Sequence, residues 1–233
     1  MAAIYRPSAA FDFVKTMVKN LPLEDIGHMI LDRINKIMWM AAPWRWTLSS
    51  MTEITLVANT QDYAIAALPA DFLYLVSAYI TEGEQLRPIT VVPFLPTAVG
   101  IKGTPNQIAV TGSAGAAGTA RVYPKPGAST PVGTQKIYMI YKKTAPSIKN
   151  NNQSTAGVLV ADDEWFWVYE SGVLWLSYAY ADDQRAGGAT VDASGKYQFT
   201  GQRAVFEANL ALMKIREKMP DVSIIPTTQV TEK

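Results

Sequence analysis

Residues 165–181 read WFWVYESGVLWLSYAYA, a helix-length run with one charged residue, Glu170. Trp165, Val168, Tyr169, Gly172, Trp175, Leu176 and Ala179 share one helical face, while Trp167, Leu174 and Tyr178 lie elsewhere around the axis. A helix apolar on several sides must be enclosed, either by the rest of its own chain or by another subunit. It is not a membrane span, because no stretch of about eighteen uninterrupted apolar residues exists. With 233 residues the chain is long enough to build the enclosure, as one elaborate domain or two small ones.

The other helices gather at the two chain ends. Phe11, Val14, Met17 and Val18 follow Pro7-Ser8 at helical spacing, with Ser8 as the expected N-cap. Pro22, Glu24 and Asp25 open a second helix, their carboxylates placed to favour its N-terminal dipole. Along it run Ile26, Ile30, Ile34, Ile37 and Ala41, and Pro43 should end it at Ala42. A last helix over about 202–218 carries Val205, Phe206, Leu210, Leu212 and Met213. Gly187-Gly188 and a loop over 189–200 separate it from the aromatic helix.

Between these ends the period changes from 3.6 to 2. Trp44, Trp46 and Leu48 alternate with Arg45 and Thr47, as a half-buried strand requires. Short runs at 53–57, 61–65, 73–80, 86–90, 106–111, 119–123 and 136–142 read as further strands, punctuated by proline and glycine. The order predicts an α+β fold, a helical bundle from both chain ends with an inserted β-sandwich or barrel-like domain. Its expected parts are 1–43 (helical), 44–146 (β-rich), 147–218 (helical) and 219–233 (an extended C-terminal arm). On this reading Trp39, Trp44 and Trp46 are structural and pin the junction between the insertion and the helices.

Little in the sequence supports chemistry. There is no cysteine, and the single histidine, His28, rules out a two-histidine metal site or relay. Asp162, Asp163 and Glu164 precede the aromatic helix, where acids are favoured by the helix dipole. The run GSAGAAGTA at 112–120 lacks the Gly-Lys-Ser/Thr ending of a phosphate loop and precedes a strand, so it reads as a hairpin turn. Ser49, Ser50 and Ser77 have only His28 to serve as a base. The expectation is therefore a non-enzyme with no cofactor and no metal. Twenty-one basic residues against twenty acidic ones give no electrostatic capture of nucleic acid or of a membrane surface. The N-terminal MAAIYRPSAAFDF has no signal-peptide order, which predicts a protein made in the cytoplasm without an export signal. Clustered tryptophans also suit a carbohydrate-binding platform, provided they are exposed.

Taken in series, the β-rich segments carry a resemblance. Trp44-Arg45-Trp46 is followed by DYAIAALPADFLYL, LRPITVVPFL, GTPNQIAVTG, ARVYPKPG and IYMIYKKTAPSI, and then by the aromatic helix. This order resembles the head-to-tail adaptor proteins of tailed bacteriophages, the tail tubular or gatekeeper proteins, from about residue 24 to 218. The resemblance implies a virion neck component: a ring of about twelve identical subunits closing by rotation. That ring would be docked between the portal protein and a downstream tail or nozzle protein. Double-stranded DNA would pass through its lumen without being read. It places Trp165, Trp167, Trp175, Val205, Phe206 and Leu210 at the subunit interface. The tail residues Val222, Ile224, Ile225 and Val230 are apolar, yet Pro220 and Pro226 keep them from being helical. They read either as a frayed end or strap across their own domain, or as an arm that orders on binding the portal or a neighbouring copy. Another phage tail or baseplate subunit is the alternative within structural proteins.

Overall fold

The computed structural model describes residues 9–18, 21–97, 101–127, 135–149 and 163–218, and these divide into two compact units. The first unit takes residues 1–44 and 145–233, and the second takes Arg45–Thr144.

In the first unit the described helices are α1 (Ala10–Met17), α2 (Leu23–Met40), α3 (Phe166–Tyr180) and α4 (Gly201–Arg216). Helix α1 buries Ala10, Phe11 and Val14, and ends where Val18 turns extended. The expected N-cap, Ser8, lies outside the described residues. Helix α2 buries Ile30, Leu31, Ile34, Met38 and Trp39, so its buried stripe is centred slightly off the isoleucine row. Ile26, Ile37 and Ala41 flank it, half-buried. Two polar groups on the same helix hold the segment after residue 144: Asn35 Nδ2 donates to the Pro146 carbonyl at 3.1 Å, and Asp32 Oδ1 accepts from the Ile148 amide at 2.9 Å.

Helix α3 is the hub, packing against α1, α2 and α4 more extensively than any of those three packs against another. Between α3 and α4 the chain makes a one-turn 3-10 helix, Gln184–Ala186, and a hairpin of β11 (Ala189–Val191) and β12 (Tyr197–Phe199). The hairpin replaces the loop expected over 189–200. Asp192 makes its turn, since Oδ1 accepts from the Ser194 amide and hydroxyl and from the Lys196 amide.

The second unit begins with a one-turn 3-10 helix, Arg45–Thr47, where alternation predicts a strand. Its strands are β1 (Leu48–Ser50), β2 (Ile54–Thr55), β3 (Asp62–Ile65), β4 (Phe72–Glu82), β5 (Gln85–Val91), β6 (Lys102–Gly103), β7 (Gln107–Gly112), β8 (Gly118–Tyr123), β9 (Lys125–Pro126) and β10 (Lys136–Lys143). Eight of them form one sheet in the order β1-β10-β4-β5-β7-β8-β3, with β2 also on β10. Strand β5 joins its halves by pairing antiparallel with β4 and parallel with β7. The sheet curls, so that Tyr63, Ala120 and Val122 from one end share a core with Ile54, Ile137 and Met139 from the other.

The fold expectation is therefore corrected. The chain is mixed α/β, with a strand-rich curled sheet and, among the described residues, four α-helices, and not a helical bundle built from both ends around a sandwich. A bundle needs helices of similar length packing side by side. Here α1 has 8 residues and the rest converge on α3 more than on one another. A sandwich needs two sheets, and β5 makes one. A closed barrel needs paired ends, and β1 and β3 do not pair.

Candidate interaction surfaces

Enclosure of α3 decides which apolar residues remain at the surface. Val168, Tyr169, Gly172, Val173, Leu174, Leu176 and Tyr178 are all buried. Tyr169 donates to the Leu31 carbonyl at 3.3 Å, and burial, aided by the negative charge of Asp32, holds its hydroxyl well above its ordinary range. Gly172 is where α3 meets two helices at once: a Cβ there would lie 2.8 Å from Phe206 Cε2 and 3.0 Å from Ile34 Cγ2. Trp175 stacks on Phe206 with centroids 5.6 Å apart, and the Arg203 guanidinium lies over both Trp175 and Phe199, 5.1 and 4.6 Å from their centroids. Trp165 is 2% exposed, and its indole donates to Glu217 Oε1 at 3.0 Å.

Of the six interface residues expected from sequence, Trp165, Phe206 and Leu210 thus belong to the chain's own core and Trp175 is half-buried against it. Trp167, 36% exposed, and Val205, 46% exposed, reach the surface. Val205 does not stand alone. Val205, Ala208, Leu212 and Ile215 are all exposed, with Ile215 at 72%. Their spacing of three, four and three residues makes one stripe along α4. Phe206, Leu210 and Met213 make a second, buried one. The sequence carries both stripes, and only the packing tells which one the chain uses for itself.

Trp44 and Trp39 are 0% and 4% exposed, and Trp44 Nε1 donates to the Met38 carbonyl at 2.7 Å, in the last turn of α2. Trp46 is half-buried in the 3-10 turn of the other unit. Tryptophans placed in this way are not a sugar platform. The arm residues Val222, Ile224, Ile225 and Val230 lie outside the described residues, as does Asp162.

In the sheet, the LPADF stretch works as a staple. Leu68, 2% exposed, lies where a Cβ on Gly112 or Gly118 would be, 2.8 and 2.9 Å from its side chain. The glycine-rich run is the β7–β8 turn, and its Ala116 carbonyl and Gly115 amide bond the backbone of Leu68 at 2.8 and 3.1 Å. Asp71 Oδ1 accepts from the Tyr141 hydroxyl at 2.7 Å, its carbonyl accepts from the Thr144 amide at 2.7 Å, and Phe72 packs on the Tyr141 ring. The preceding tyrosine, Tyr63, bonds the carbonyls of Val57 and Thr60 with its hydroxyl. The motifs that carry the resemblance are thus the joints of the sheet.

Among the described residues, no group of three or more His, Asp or Glu side chains is placed to hold a metal ion, and no helix is long and apolar enough to cross a membrane. Lys142 is fully buried, its ammonium 2.8 Å from Thr47 Oγ1, and burial lowers its pKa from 10.5 to about 8. It is an element of the sheet interior.

A model of the family described as SU10 adaptor protein matches residues 17–217. The chain belongs to that family. The adaptor is accordingly a phage structural protein and a virion component. No curated protein matches its sequence.

Proposed function

We propose that this adaptor forms a ring at the neck of the virion, between capsid and tail. It joins the portal protein to a downstream tail or nozzle protein and passes double-stranded DNA through its lumen without reading it. The observation that carries the proposal is the stripe of Val205, Ala208, Leu212 and Ile215, left exposed by a chain of the adaptor family. Apolar surface arranged along one helix fits a heterologous contact repeated around a closed ring. The net charge of +1 suits a lumen through which DNA must slide. The role requires positioning and no catalysis.

The test is the double substitution Val205→Asp, Ile215→Asp. Surface changes of this kind alter folding stability by about 0.5 kcal/mol or less, so the purified chain should keep its melting midpoint. Particles made with it should lack the ring. Normal rings from the doubly charged chain would overturn the proposed interface.

A further inference from the structure

Strand β5 changes partner part-way along its length. Its first residues pair with β4 as far as Ala78↔Ile89, and Thr90 and Val91 then pair with Gln107 and Ile108 of β7. The sheet forks there. Residues 72–77 of β4 keep β10 on one side and have no described strand on the other. Residues 109–112 of β7 keep β8 on one side and likewise have none on the other. Between the two edges lies a cavity of about 420 Å³, lined by Leu73, Tyr74 and Leu75 of β4, Val92 and Pro93 beyond β5, and Val110 of β7. Leu73 and Tyr74 are 37% and 43% exposed. No charged side chain lines it.

Two strand edges that flank one apolar cleft offer backbone donors and acceptors to an extended segment and pockets to its alternate side chains. An occupant must be extended, apolar on alternate residues and free of charge. The chain carries such a segment beyond its last described residue. Residues 222–230 read VSIIPTTQV, uncharged throughout, with Val222 and Ile224 on one face of a strand. In sequence terms Pro220 and Pro226 disfavour a continuous helix, and a residue that precedes proline favours extended backbone. Fifteen residues follow Lys218 in the sequence, more than a strand of this length needs.

We infer that the β4–β7 cleft receives residues 222–226 of another copy of this chain, adding a strand to the forked sheet. That the donor is the neighbouring copy rests on the ring reading above. The arm then locks adjacent subunits together, independently of the α4 stripe.

The chain has no cysteine, so introduced pairs report without ambiguity. Full-length Tyr74→Cys and full-length Ser223→Cys are co-expressed during particle assembly and mildly oxidised. A covalent dimer between the two variants is expected, while Leu86→Cys with Ser223→Cys, away from the cleft, should give none. In full-length Ile224→Asp, assembled amides at 72–77 and 109–112 should exchange about tenfold faster than in the unsubstituted ring. Rings that form without the mixed dimer refute the inference and leave the ring standing. A disulfide found only when both cysteines are on one chain refutes the neighbour as donor. Particles with no ring overturn both readings.

Discussion

Gly172→Ala sets two effects of known size against each other. Alanine in the middle of a helix is favoured over glycine by about 1 kcal/mol. At this position, however, the new methyl would lie 2.8 Å from Phe206 Cε2 and 3.0 Å from Ile34 Cγ2. Neither neighbour has room to yield: both are 0% exposed, and the Phe206 ring is held against Trp175, itself beneath Arg203. Overpacking of this kind costs about 1–3 kcal/mol. Packing wins, and the net expectation is a loss of about 1 kcal/mol, or about 2–4 °C in melting temperature for a chain of this size. Urea denaturation followed by tryptophan emission reads it directly, because Trp39, Trp44, Trp165, Trp167 and Trp175 all belong to the helical unit. The double variant Gly172→Ala, Phe206→Leu should be less destabilised than the sum of its parts, as the shorter side chain makes room for the methyl. A Gly172→Ala chain more stable than the parent would show that α3 does not pack at this closeness, and the hub description would fail.

Trp44→Ala should destabilise the helical unit by about 3–5 kcal/mol, since it empties a fully enclosed site and removes the bond to the Met38 carbonyl; a change under about 1 kcal/mol in the urea midpoint would refute the burial. Lys142 predicts a pH dependence. Its pKa falls from 10.5 to about 8 on folding, so between these values the unfolded chain binds more protons and stability must rise with pH. The penalty, present in full below about pH 8, is on the order of 3 kcal/mol. Lys142→Met should therefore stabilise the sheet most at neutral pH and lose that advantage toward pH 10, as followed by urea midpoints across the range. A parallel pH profile for the two chains would contradict the assignment.

Much of the sheet was legible because period-two segments and turn residues are local signals. Each of the strand runs at 53–57, 61–65, 73–80, 86–90, 106–111, 119–123 and 136–142 overlaps an observed strand, and the glycine-rich run is the turn between two of them. The alternation at Trp44, Trp46 and Leu48 misled because Trp44 turns back to bond the end of α2, and Arg45–Thr47 coil into a 3-10 turn. The loop expected at 189–200 is a hairpin, and its signal, DASG followed by Tyr197 and Phe199, was present. What no local pattern carries is the pairing of β5 with two partners, one of them parallel, which turns an expected sandwich into one curled sheet. Partner choice is settled by contacts distant in sequence. The same limit applied to α4, whose two apolar stripes are equivalent in sequence until α3 covers one.

The central claim is that identical copies of this chain form a ring in the virion, and imaging purified particles tests it most directly. Cryo-electron microscopy of the neck, with the chain located by a small C-terminal tag, should show a multi-copy ring around a central hole wide enough for duplex DNA. Intact, infectious particles in which the tagged chain forms no such ring would contradict the account.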